Sequence, residues 1–322
     1  QSITPNPNAN ACIHLAAAIS LQEAVGQILA EYALREPTAR VRVIYGASNE
    51  LADHLIAGAP GSLLDHLGGE DVLSFTGGGG TAATLRSAAP VVRDSVRVNV
   101  EADSLNAAIL GPDGEEGSEA YDLFLTDVLR DLTQKAGQKC TAIRRVFVPR
   151  ALYDAAAQAI GAKLTKISVG NPRNESVRMG SLVSQAQKAS VLEGIAKLRT
   201  EAEVLFDGSG VALVDADAAV AACVAPTLLG AREPAKAKVL HEVEVFGPVA
   251  TLMAYDSIEE AYELIRRGEG SLVCSVYSAD PAFTAGAALA LGSAHGRVHA
   301  ISPDVAASQT GHGNVMPMSL HG

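Results

Sequence analysis

The segment KAGQKCTAIRRVFVP (residues 135–149) sets one cysteine, Cys140, between a Gly-Gln-Lys turn and a pair of arginines. Lys139 precedes the thiol, and Arg144 and Arg145 follow it. Nearby positive charge lowers a thiol pKa and enlarges the thiolate population, and the thiolate is the nucleophile. That chemistry suits covalent catalysis; an inert core cysteine is the alternative that the local sequence leaves open. The other cysteines, Cys12, Cys223 and Cys274, form neither a CxxC pair nor a zinc-ligand spacing. Cys223 in AACVAP and Cys274 in SLVCSVYS sit in apolar runs, where cysteine behaves as a small buried hydrophobe.

Three further groups carry candidate chemistry. Glu101 follows the alternating run VRVNV, so it stands at a strand end, where ligands bind in doubly wound folds. Partial desolvation would raise its pKa and make it a general base; a solvated acid at a strand end is the alternative. The stretch SFTGGGGTAATLR places Thr76, Gly77 and Gly78 between a strand and a helix. Backbone N–H groups at a helix N-terminus bind phosphate, and glycine lets the ligand approach, although the pattern is neither GxGxxG nor Walker A and also suits a flexible turn. In EVEVFGPVA, Glu244 stands two residues before Phe246. A carboxylate there could hold ribose hydroxyls and an aromatic could pack on a nicotinamide ring; an ordinary Gly-Pro turn is the alternative.

The elements that must position these residues alternate. Residues 20–34 and 49–58 have helical spacing, 41–46 and 96–100 alternate like strands, and 71–75 is a short apolar run. Strand–helix–strand order predicts a parallel sheet with helices on both faces. Next, Tyr121, Phe124, Leu125, Val128, Leu129 and Leu132 share one face of a helix, with Asp122, Asp127 and Asp131 on the other and Gly137 as its stop. A strand over RRVFVP and a helix from about Ala151 follow. Residues 167–184 read as a loop, and GRVHAISP as a last strand. The polar, acidic segment GPDGEEGSEA (111–120) reads as a domain linker.

Composition narrows the function classes. The chain has 322 residues, 48% of them hydrophobic and 19% charged, which suits globular domains with real cores. A net charge of −11 argues against a nucleic-acid partner, which needs a basic face. No window reaches the ~18 apolar residues of a membrane helix. Four scattered cysteines point to a reducing cytoplasm. No metal site is expected.

Taken together, FTG, EADSLN, GQKCTAIRR and EVFGPVA occur in the order and at the approximate intervals of the aldehyde dehydrogenase superfamily. Longer motifs, NVEADSLN, AGQKCTAIRR, GNPRNESVRMGSLVS, EVFGPVATLM and QTGHGNVMPMSLHG, resemble its CoA-linked semialdehyde dehydrogenases of aerobic aromatic degradation. The resemblance runs from about Val41 to Gly322. It implies an α/β fold of aldehyde dehydrogenase type: an incomplete Rossmann-type cofactor domain over 1–114, an α/β catalytic domain over 115–300, and a C-terminal segment, 301–322, returning toward the cofactor domain. It implies Cys140 as the nucleophile and Glu101 as the general base that hydrolyses a thioester. Thr76, Gly77 and Gly78 would lie at the cofactor phosphates, and Glu244 and Phe246 at the nicotinamide riboside. The cofactor would be NADP, with NAD as the alternative. The substrate would be a small-molecule aldehyde, CoA-linked by the same resemblance, and the assembly a homo-oligomer.

Several family features depart from this pattern. The FNFP-like stretch whose Asn holds the oxyanion is not found. CIHLAAA takes the place of the family's VKPA, putting His14 where a lysine binds the adenosine ribose or its phosphate. Gly78 stands where the family has Ser. Both ends read as shorter than in the family. The expected function is oxidation of an aldehyde to the acid through a Cys140 thioester, with a truncated pseudoenzyme or a cofactor-independent thiol esterase as the alternatives.

Overall fold

The structure, a computed structural model, describes residues 72–302, the strand segments Cys12–Ala18 and Arg40–Gly46, and residues 30, 34 and 305. The expected helix over 20–34 is described only at residues 30 and 34, both helical. The expected helix over 49–58, and the C-terminal segment beyond residue 302 apart from residue 305, lie outside the described residues. The chain forms two compact units, Gln1–Asp103 and Ser104–His321.

In the first unit, β1 (Cys12–Ala18) pairs in parallel with β2 (Arg40–Gly46). Strand β3 (Val72–Gly77) pairs in parallel with β4 (Arg97–Ala102). Between them lie helices α1 (Gly79–Ser87) and α2 (Ala89–Arg93). Leu73, Phe75, Ala82, Leu85, Val91, Val96 and Val100 form the core of this strand–helix–strand unit. The period-2 spacing of Leu73 with Phe75, and of Val96, Val98 and Val100, is what turns one face of each strand inward.

The second unit is built on a seven-stranded sheet in the order β11-β10-β5-β6-β9-β8-β7. Its strands are β5 (Ala107–Leu110), β6 (Arg145–Pro149), β7 (Glu203–Asp207), β8 (Thr227–Ala231), β9 (Val249–Tyr255), β10 (Ser271–Tyr277) and β11 (His295–Ile301). All pairings are parallel except β7 with β8. Strands β5, β8, β9 and β10 are buried throughout, as parallel strands covered on both faces must be, which is why they read as continuous apolar runs.

Helices α3 (Glu119–Thr133) and α4 (Tyr153–Leu164) cover one face, where Phe124, Val128 and Ile160 pack with Val146, Val148 and Leu252. Helices α5 (Gln185–Leu198), α6 (Ile258–Arg266) and α7 (Pro281–Leu291) supply the opposite cluster, where Val191, Leu264 and Ala287 join Phe147, Met253 and Cys274. The alternation of Val146, Phe147 and Val148 between the two clusters is the strand period made visible.

Three expectations change. The units divide between Asp103 and Ser104, so residues 111–120 are the β5–α3 connection inside the second unit. Strand β5, which precedes that segment, lies buried in the middle of the seven-stranded sheet, so the loop joins two elements of one unit and does not separate two. Helix α3 begins where Ser118 accepts from Tyr121 N–H, but it stops at Thr133, before Gly137. Of its three acids, Asp127 and Asp131 are buried and do not face solvent. Each has donors waiting: Asp127 accepts from Tyr277 Oη (3.0 Å) and Arg130 Nη1 (2.8 Å), and Asp131 from Lys139 Nζ (2.6 Å) and Ile143 N–H (3.1 Å). A buried carboxylate is tolerated only with such partners.

Candidate active site

Cys140 is exposed, whereas Cys223 and Cys274 are buried. Burial pushes the Cys274 thiol up to about 12 and raises Cys223 as well, so neither forms a thiolate near neutral pH. Cys12 lies on β1, of whose side chains nothing is described.

The turn before the thiol is backbone-strained. Lys135, Ala136 and Gly137 all have positive φ, at 53°, 53° and 71°. Left-handed backbone is costly for residues with a Cβ, and such strain persists only where the surroundings hold it. The surroundings are visible. Asn106, fully buried, donates through Nδ2 to the carbonyls of Cys140 (2.8 Å) and Ala142 (2.9 Å). Its Oδ1 accepts from Ser104 Oγ and Val273 N–H. Asp131 grips both flanks of the thiol, at Lys139 Nζ and Ile143 N–H. Gln138 Oε1 accepts from Val183 N–H at 3.0 Å.

Gly137 is required twice over, by its φ and because a Cβ there would overlap the carbonyl of Gly247. Gly137→Ala is therefore expected to destabilise the second unit by about 2–4 kcal/mol, the sum of left-handed strain and overpacking. Urea unfolding would read this as a lower midpoint at unchanged slope; a midpoint equal to wild type would show that the turn relaxes freely.

The three cations near Cys140 in sequence are each engaged. Lys139 Nζ bonds Asp131 and Gln134 Oε1. Arg145 is buried, donating to the carbonyls of Leu105, Leu264 and Ile265 and to His241 Nδ1. Burial lowers its pKa to about 10, so it stays charged at neutral pH, and the carbonyl end of α6 supports that charge. His241, pushed down to about 4 by burial, is neutral and donates Nε2–H to the Pro234 carbonyl. Lys139 thus braces one flank of the thiol through Asp131, while Arg145 ties the start of β6 to Leu105 and to the end of α6.

Arg144 brings the second motif to the first. Its Nε reaches Glu244 Oε1 at 3.2 Å, and its guanidinium lies 5.4 Å from the Phe246 ring centroid. The Glu244 side chain is only 7% exposed, and its Oε2 accepts from Ser104 N–H at 2.9 Å. Phe246 keeps an exposed ring. Asn106, Arg144 and Glu244 thus stand just before β5, β6 and β9, so this cluster gathers at the N-terminal edge of the sheet. Arg144 was seen in the sequence only as a charge; Asn106 and Asp131 gave no local signal beyond their polarity.

The first unit assembles the other candidates. Thr76 pairs across the ladder with Glu101, and Gly77 with Ala102. Glu101 is half-buried at the C-terminal end of β4. Gly78 caps α1, and Gly80 has open space around its Cα. One residue escaped sequence reading: Asp103, left-handed at φ 50°, places Oδ1 3.1 Å from the Gly79 N–H at the start of α1. An anion from the chain itself already occupies that donor. His14 lies on β1 opposite Arg42 in the backbone ladder.

Two α/β units, one carrying a glycine turn before a helix and the other an exposed thiol on a turn held by hydrogen bonds, define an α/β protein of aldehyde dehydrogenase fold. The chain belongs to the aldehyde dehydrogenase family, whose profile matches residues 24–312. It is 51% identical over 269 residues to 3,4-dehydroadipyl-CoA semialdehyde dehydrogenase of Aromatoleum evansii, covering 83% of this chain and 52% of that protein. It is 30% identical over 195 residues to 2-hydroxymuconic semialdehyde dehydrogenase of Pseudomonas putida, covering 60% of this chain and 38% of that protein. The chain spans about half the length, or less, of the curated relatives it matches. Betaine aldehyde dehydrogenase of Staphylococcus aureus, solved with NAD+, shares the fold at a TM-score of 0.70 and 22% identity, over 89% of this chain and 54% of that one. Among the described residues no helix is long and apolar enough to cross a membrane, and no group of three or more His, Cys, Asp or Glu side chains is placed to hold a metal.

Proposed function

We propose that the protein oxidises an aldehyde, a CoA-linked semialdehyde of aerobic aromatic degradation, to the acid, with NADP as cofactor and NAD as the weaker alternative. The observation that carries this reading is the exposed Cys140 thiol on a backbone held from both flanks. The substrate class rests on the 51% identity to the Aromatoleum evansii enzyme. Four scattered cysteines accord with a cytoplasmic setting, and homo-oligomerisation is the expected assembly.

Cys140 Sγ, as thiolate, adds to the aldehyde carbon and forms a thiohemiacetal. Its carbonyl stays tied to Asn106, so the sulfur is delivered from a fixed backbone. A nicotinamide, when bound, supplies the hydride acceptor. Thr76, Gly77 and Gly78 are assigned to its phosphates, although Asp103 holds the neighbouring Gly79 N–H; Glu244, whose two oxygens already bond Arg144 and Ser104, and the exposed Phe246 ring are assigned to its riboside, and His14 to its adenosine side. Glu101 then takes a proton from water. The resulting hydroxide adds to the Cys140 thioester, the C–S bond breaks, and the acid leaves.

A second reading, hydrolysis of activated esters at Cys140 without a nicotinamide, is favoured by Asp103, whose carboxylate takes a donor a phosphate would use. A single-turnover assay separates the two. With a CoA-linked semialdehyde, the first reading expects one equivalent of reduced cofactor per Cys140, faster with NADP+ than with NAD+. Turnover of p-nitrophenyl acetate with no reduced cofactor from any aldehyde would select the second.

A further inference from the structure

We propose that Arg144 is a positioning residue that couples the nucleophile loop to the cofactor-contact turn. The inference rests on the reading of Glu244 and Phe246 as cofactor contacts. Arg144 is buried, and every nitrogen of its guanidinium has work. Nε reaches Glu244 Oε1; Nη1 donates to the Gly247 carbonyl at 3.0 Å; Nη2 donates to the carbonyls of Gly137 at 2.9 Å and Lys139 at 3.3 Å. Its plane also lies by the Phe246 ring. One side chain thus joins the strained turn ahead of Cys140 to three successive contact points in the segment 244–247.

The two segments are separated by about a hundred residues of sequence, and the closeness of Gly137 to Gly247 leaves no slack between them. A displacement of Glu244 or Phe246 therefore pulls on the carbonyls of Gly137 and Lys139 through a rigid planar fork. Lysine carries the charge but not the fork, so it cannot reproduce four bonds in four directions. A purely electrostatic role would be kept by lysine; a mechanical one would not.

Amide hydrogen exchange and kinetics on wild type, Arg144→Lys and Arg144→Gln test this. Without cofactor, both variants should lose protection in 137–142 and 244–249 together, by about tenfold or more, while β9 and β10 exchange as in wild type. Adding NADP+ to wild type should raise protection in both segments; in Arg144→Lys only 244–249 should respond. Aldehyde oxidation by Arg144→Lys should show a raised cofactor KM and a lowered kcat together. Should Arg144→Gln fail to fold, Arg144→Lys carries the test alone. A lysine variant with wild-type exchange in both segments and wild-type KM and kcat overturns the coupling. Wild type that shows no response to either nicotinamide would instead overturn the cofactor reading, and the apo exchange would still decide the role of Arg144.

Discussion

Cys140→Ser is expected to lower aldehyde oxidation by on the order of 10⁴-fold or more, because a serine hydroxyl is a far weaker nucleophile than a thiolate at neutral pH. The fold should be untouched. The side chain is exposed, and the tie to Asn106 uses the backbone carbonyl, which any residue supplies. Thermal unfolding should therefore stay close to wild type while the steady-state rate, read as reduced-cofactor absorbance, collapses. The remaining described thiols offer no substitute, since Cys223 and Cys274 are buried with raised pKa values. A serine variant that keeps more than about a hundredth of the rate would move the nucleophile elsewhere, since loss of a covalent nucleophile is not so mild.

Glu101→Gln should part the two halves of the reaction. Thiolate addition needs no base once the thiol is ionised, but a thioester needs activated water, and general-base assistance contributes about 10²–10⁴-fold. The variant should release one equivalent of reduced cofactor per Cys140 and then stall, with the acyl group visible as added mass on the protein. Glutamine preserves shape at a half-buried strand end, so stability should hardly change. Sustained wild-type turnover by this variant would remove Glu101 from the mechanism. Absence of the burst in both wild type and variant, with ester hydrolysis intact, would favour the cofactor-independent esterase.

The two results bear on different units of the chain. Cys140 lies in Ser104–His321 and Glu101 in Gln1–Asp103. Each variant can be judged against the local structure of its own unit: the clamp of Asn106 and Asp131 for the thiol, and the pairing of Thr76 with Glu101 for the base.

By itself the amino-acid sequence determined the α/β class, the period-2 and helical faces, the strands at 145–149 and 295–301, the burial of Cys223 and Cys274, and the motifs that single out Cys140, Glu101, Glu244 and Phe246. These are local signals, since side-chain period and turn chemistry act over a few residues. Only the tertiary structure decided the partners. Asp127 and Asp131 look like a solvated helix face in sequence, yet donors from Tyr277, Lys139 and Ile143 bury them. Arg144 reads as a charge beside a thiol, yet its partners include Glu244 and Gly247. Asp103 carries no signal in the sequence, yet it meets the first N–H of α1, 24 residues earlier. For the buried Asp127, Asp131 and Arg144 the physical reason is the same. A buried polar group must be paired, and which donor meets which acceptor across a sheet is set by strand order and crossover connections, not by neighbours in the chain.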